Sequence, residues 1–201
     1  MKTKYGLLGI GIVLGLALML VGWKVLEQPY TYQGSLIDPP VPASDFQLND
    51  QHGQSFRLSD QRGKTVLIFF GYTHCPDVCP VTLSEFKQIK QQLGDLANRV
   101  EFVFITVDSE RDTAEVLGQY LANFDPVFIG LSGTPDQMEP VYKSYGVYHQ
   151  KTETGSAAGY LVDHTAIMYV IDSNGNWRLT YPFGMDVEKQ VEDLVHLVKE
   201  N

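Results

Sequence analysis

The chain holds only two cysteines, Cys75 and Cys79, and both fall in one segment, Gly71-Tyr72-Thr73-His74-Cys75-Pro76-Asp77-Val78-Cys79-Pro80. Two cysteines cannot staple 201 residues, so the pair reads as one disulfide, a redox dithiol or part of a soft-metal site. A thioredoxin-type dithiol has two residues between its cysteines; here three intervene. The wider loop can close a disulfide or aim both sulfurs at one ion. Two thiolates alone make a low-coordinate Cu(I) site, and an added imidazole makes it trigonal and brings Cu(II) within reach. A structural zinc site takes four ligands, and this sequence offers too few sulfurs.

Five histidines could supply the third ligand: His52, His74, His149, His164 and His196. His196 stands among polar residues of a terminal helix, His52 in a turn and His149 beside a polar stretch, and all three read as solvated. His74 adjoins Cys75, where neighbouring side chains often point apart. His164, in Leu161-Val162-Asp163-His164-Thr165, stands where polar sequence meets an apolar strand. From the residues alone, ligand and satisfied structural histidine are equal readings of it. Asp163 is a candidate to orient it, or a turn residue. Met138, Met168 and Met185 are soft donors, but a methionine on a core element is more often packing.

Positioning these residues needs a strand before the cysteines and a helix after them. Thr65 to Gly71 is an apolar run of strand type. After the cysteines, Leu83, Phe86, Ile89, Leu93 and Leu96 recur at helical spacing, predicting a helix over Val81 to Leu96 with Pro80 at its first position. The unpaired amides and dipole of that helix start favour thiolate, the form that binds metal or attacks disulfides. Further strands are expected at Val100–Asp108, Val127–Leu131 and Thr165–Asp172, the last turning through Asp172-Ser173-Asn174-Gly175 to a partner at Trp177–Tyr181. Helices are expected at Thr113–Phe124, Pro135–Tyr145 and Asp186–Lys199. This order is that of a thioredoxin-like α/β sandwich, with an added N-terminal hairpin at Phe46–Leu48 and Ser55–Leu58. The polar stretch Gln150 to Tyr160 reads as a surface loop.

Charge separates the chain into parts. Acidic residues outnumber basic ones by 24 to 15, which argues against a nucleic-acid partner. Residues 6–23 carry no charge and as a helix would span about 27 Å, close to the ~30 Å hydrocarbon core. Lys2 and Lys4 precede this run, which favours a cytoplasmic N-terminus. The chain is therefore expected to have a membrane anchor over residues 1–24, a Pro-containing linker over 25–43 and a folded domain over 44–201. The absence of arginine before Arg57 disfavours a mitochondrial presequence. A single-pass protein of the bacterial cytoplasmic membrane, with its domain on the extracytoplasmic side, is the expectation; a cleaved signal is the rival reading.

Four segments in order, GYTHCPDVCP at 71–80, TVDSERDT at 106–113, LSGTP at 131–135 and VDHT at 162–165, resemble the Sco/SenC family. Its members are membrane-anchored, thioredoxin-like copper proteins of cytochrome c oxidase assembly. The resemblance implies that Cys75, Cys79 and His164 bind copper, as Cu(I) and also Cu(II). It implies a metallochaperone that delivers copper to the binuclear copper centre of an oxidase subunit and is itself loaded by an upstream donor. A thiol-disulfide oxidoreductase, with Cys75 and Cys79 redox-active and reducing that subunit's cysteines, is the alternative the resemblance also permits. The family motif's usual proline is Ser109 here. Asp108, Arg111 and Asp112 in the same segment read as a structural network rather than a docking one.

Overall fold

A computed structural model describes residues 30–156 and 159–200. The span expected over residues 6–23 lies outside them; among the described residues no helix is long and apolar enough to cross a membrane.

Among the described residues, ten strands and four α-helices follow in the order β1 (Ser35–Pro42), β2 (Gln47–Asp50), β3 (Ser55–Arg57), β4 (Thr65–Gly71), α1 (Val78–Leu93), β5 (Val100–Thr106), α2 (Ala114–Ala122), β6 (Ile129–Ser132), α3 (Pro135–Ser144), β7 (His149–Ser156), β8 (Gly159–His164), β9 (Ile167–Ile171), β10 (Asn176–Pro182) and α4 (Val187–Lys199). Eight strands form one sheet in the order β1-β10-β9-β4-β5-β6-β2-β3, and β7 and β8 pair separately. The β4–β5 and β5–β6 pairs are parallel, and β9 runs antiparallel to β4. This is the expected thioredoxin-like sandwich, with the β2–β3 hairpin extending the sheet beyond β6.

Every residue of β4 is buried, which explains its unbroken apolar sequence: a central strand is covered on both faces. Its neighbours in sequence serve opposite layers. Phe69 lies opposite Phe104 of β5 and packs near it, whereas the Phe70 ring meets Tyr142, Tyr145 and Tyr169. Under α1, the rings of Phe86, Phe102 and Phe128 close on one another at 5.4–5.7 Å.

Three expectations change. First, residues 35–42, read as linker, form β1, an edge strand against β10. Pro39, Pro40 and Pro42 are tolerated there because an edge strand need not donate on its outer side. Gly34 and Gln33 are tied down by backbone N–H donation to the Asp193 carboxylate of α4. Second, the polar stretch 150–160 is largely a β-hairpin, β7–β8, whose register sets His149 opposite His164. Third, α1 starts at Val78, so Pro80 is its third residue and Cys79 lies inside its first turn. Pro80 still costs no bond, since the first four helical amides have no intrahelical acceptor.

Candidate metal centre

Three elements meet at one end of the sheet. The loop after β4 carries Cys75, the first turn of α1 carries Cys79, and the last residue of β8 is His164. Their ligand atoms, two Sγ and one imidazole nitrogen, all lie within 4.8 Å of one another, and Cys79 Sγ is 3.4 Å from His164 Nε2. Sulfur and nitrogen ligands about 2.0–2.3 Å from a metal, placed in a trigonal plane, are themselves about 3.5–4 Å apart. The Cys79–His164 pair already has that spacing, and Cys75 Sγ stands close enough to share one ion with it. Both thiols are free; Cys79 is buried and Cys75 half-buried.

The imidazole is fixed on three sides. Its Nδ1 is 3.1 Å from the Thr165 carbonyl oxygen. A carbonyl can only accept, so Nδ1 carries the proton and the Nε2 lone pair faces the sulfurs. Phe69 and Tyr72 present their rings edge-on to it, at 5.9 and 5.7 Å. Tyr72 thus both joins the core and flanks the site, and burial pushes its phenol up.

The two sulfurs are unlike. Cys75 Sγ accepts a hydrogen bond from the Cys79 backbone N–H at 3.4 Å, at the helix start where donors and dipole favour negative charge. The Cys79 thiol above all, and also the Asp77 amide, donate toward it, and its pKa falls to about 4. Cys79 is pushed far up, first by burial and then by the Cys75 thiol beside it. Of the two, Cys75 is the sulfur favoured as thiolate and Cys79 the one favoured as thiol.

Gly71 makes room for the buried sulfur. A Cβ there would stand 2.8 Å from Cys79 Sγ, 2.8 Å from the Phe104 ring and 2.9 Å from the Phe69 ring. Sequence reasoning gave Gly71 no role beyond its place in the motif; only the position of the sulfur reveals what the missing side chain does.

The other candidates lie elsewhere. His74 is half-exposed, with Nδ1 3.0 Å from Thr73 Oγ1. His149 packs tilted against the Tyr142 ring and sits 3.5 Å from Glu139. His196 Nε2 is 2.9 Å from Glu200, and His52 is exposed in its turn. Asp163 does not orient His164: its carboxylate accepts from Thr152 Oγ1 across the hairpin, and the Thr165 carbonyl takes that role. Met138 and Met168 are core residues.

Behind the site, Arg111 holds the histidine arm. It pairs with buried Asp108, donates to the Tyr160 carbonyl at 3.0 Å and lies 3.6 Å over the Tyr160 ring. The Tyr160 hydroxyl returns to Asp108 at 2.8 Å. These contacts bind β8 to the end of β5, and Asp112, grouped with them in the sequence reading, bonds Thr73 and Thr106 instead.

A family model described as SCO1/SenC matches residues 37–199. The SCO2-like protein of Rickettsia felis is 34% identical over 185 residues, spanning 88% of this chain and 90% of that one. Among solved structures, ScoI of Bradyrhizobium japonicum with copper bound shares 40% identity and a TM-score of 0.72 over 78% of this chain and 99% of that one. Apo Sco1 of Thermus thermophilus shares 38% identity and a TM-score of 0.74 over 84% and 98%. A match over most of the chain, with the motifs converging on one end of the sheet, means that the chain belongs to the SCO1/SenC family.

Proposed function

We propose that this protein is a copper metallochaperone of cytochrome c oxidase assembly, with Cys75, Cys79 and His164 as the copper ligands. The observation that carries this reading is the convergence of two sulfurs and one correctly tautomerised imidazole within 4.8 Å. Copper is cargo. A set of three ligands, one of them on the half-exposed Cys75, holds Cu(I) while leaving a side open for ligand-by-ligand exchange with the oxidase subunit that receives it and with an upstream donor. Residues 6–23 anchor the chain in the bacterial cytoplasmic membrane, with the copper-binding domain on the extracytoplasmic side. With β1 counted into the domain, the linker shortens to residues 25–34.

The test is anaerobic Cu(I) reconstitution of the full chain, with copper per chain measured for the parent, Cys75→Ser, Cys79→Ser and His164→Ala. One tightly held ion that is lost in the cysteine variants is expected. A reduced parent that binds no copper would overturn the assignment.

A second reading rests on the asymmetry of the thiols. The Cys75 thiolate can attack one sulfur of a substrate disulfide, releasing the first substrate thiolate. Cys79 then gives up its proton to that thiolate and attacks Cys75, closing the Cys75–Cys79 disulfide and releasing the second substrate sulfur. Two electrons pass to the substrate. This chemistry does not need His164 as a ligand, whereas copper transfer does, so His164→Ala separates the two.

A further inference from the structure

Asp112 is fully buried, one residue after the arginine that holds the histidine arm. No lysine or arginine pairs with it among the described residues; the half-exposed His74 ring stands with Nδ1 3.9 Å from Oδ1. Its carboxylate instead accepts three hydrogen bonds. Oδ2 takes the Thr73 backbone N–H at 3.0 Å and the Thr106 hydroxyl at 2.6 Å, and Oδ1 takes the Thr73 hydroxyl at 2.6 Å. Two of these three donors belong to Thr73, two residues before Cys75.

The contacts form a continuous path. The Thr106 hydroxyl, which donates to Asp112, accepts from the Asp108 backbone N–H at 2.9 Å, so the acceptor is anchored in the end of β5. The Thr73 hydroxyl, which also donates to Asp112, is free to accept from His74 Nδ1 at 3.0 Å. On the far side of Thr73, the Cys75 backbone N–H donates to the Tyr72 carbonyl at 3.3 Å, closing the turn that delivers Cys75 Sγ to the α1 amide. A buried carboxylate stripped of its donors is strongly unfavourable, so the turn cannot rearrange without exposing that cost.

We propose that Asp112 is the positioning residue of the cysteine arm: through Thr73 it fixes the turn that sets Cys75 Sγ against Cys79 and His164. Arg111 and Asp112, adjacent in sequence, then hold opposite arms of the site, Arg111 through Tyr160 of β8 and Asp112 through Thr73. The copper arm of the test rests on the function proposed above; the thiol arm does not.

The test compares the full-length parent with Asp112→Asn, Thr73→Val and Thr73→Ser. Cu(I) affinity is read by competition with a chelator, and the metal-free proteins are alkylated with iodoacetamide to obtain the Cys75-to-Cys79 rate ratio. Asp112→Asn turns an acceptor into a donor facing donors. It is expected to weaken Cu(I) binding by about 10- to 100-fold, as loss of a group supporting a metal ligand does, and to narrow the preference for Cys75. Thr73→Val loses affinity in the same direction, and Thr73→Ser, which keeps the hydroxyl, recovers most of it. Folded Asp112→Asn with parental affinity and parental alkylation ratio would overturn the proposal. If Asp112→Asn does not fold, folded Thr73→Val with parental values overturns it instead. Thr73→Ser as impaired as Thr73→Val would also do so, because the hydroxyl would not be the link. A parent that fails to bind Cu(I) counts against the proposed function alone, and the alkylation ratios still decide the role of Asp112.

Discussion

Cys79 Sγ lies 3.4 Å from Nε2 of His164, although 85 positions separate the two residues in the chain. The contact exists because β4 and β9 are antiparallel neighbours, so the end of β4 and the start of β9 lie at the same end of the sheet. Removing the imidazole should leave two thiolates. His164→Ala is expected to lose more than the 10- to 100-fold typical of supporting groups, thus more than about 100-fold in Cu(I) affinity. Competition titration against a Cu(I) chelator checks this. Parental affinity would remove His164 from the ligand set.

The thiols should titrate far apart. With the Cys75 pKa at about 4, its thiolate persists above that value and is lost only as pH falls through it. Alkylation of Cys75 by iodoacetamide should therefore stay nearly flat from pH 8 to 6, where an ordinary thiol slows about tenfold per unit. The largest cause of the low value is the Cys79 thiol, so Cys79→Ser tests whether an oxygen donor can substitute. Mass spectrometry of the modified peptide reports each site; a Cys75 rate that falls tenfold per unit across this window would contradict the assigned thiolate.

Gly71→Ala places a methyl group 2.8 Å from Cys79 Sγ and from the Phe104 ring. Overpacking of this kind costs about 1–3 kcal/mol, which for a domain of this size lowers Tm by about 2–12 °C. Thermal unfolding followed by circular dichroism measures it. An unchanged Tm would mean that the sulfur moves aside freely, which predicts in turn a changed copper affinity.

Arg111→Ala leaves the buried Asp108 carboxylate without its cation and should cost about 3 kcal/mol. Tyr160→Phe removes one neutral donor to the same carboxylate, worth about 0.5–1.5 kcal/mol. Urea unfolding should rank the two in that order. Equal losses would show that the Tyr160 hydroxyl, rather than the ion pair, is what sustains the buried Asp108 carboxylate.

Much of this molecule is legible without coordinates. Apolar runs such as Thr65–Gly71 and the three-to-four spacing of Leu83, Phe86, Ile89 and Leu93 specify strand and helix because burial on both faces, or on one, dictates where apolar residues stand. The cysteine pair announces thiolate chemistry because its spacing and the helix after it are local features. What escaped was decided by partners distant in the chain. β1 is hidden by its prolines, since only its place at a sheet edge makes missing donors harmless. The β7–β8 hairpin is hidden by a sequence without apolar alternation, because a two-stranded ribbon with little to bury has no hydrophobic face to write. His164 was, from the residues alone, ligand or structural in equal measure; the tertiary structure decides that its Nε2, with Nδ1 held by Thr165, faces the sulfurs. Sequence alone thus determined which chemistry the site could do. Which histidine completes it, which glycine vacates space for the sulfur and which carboxylate holds the loop depended on through-space contacts that no local pattern encodes.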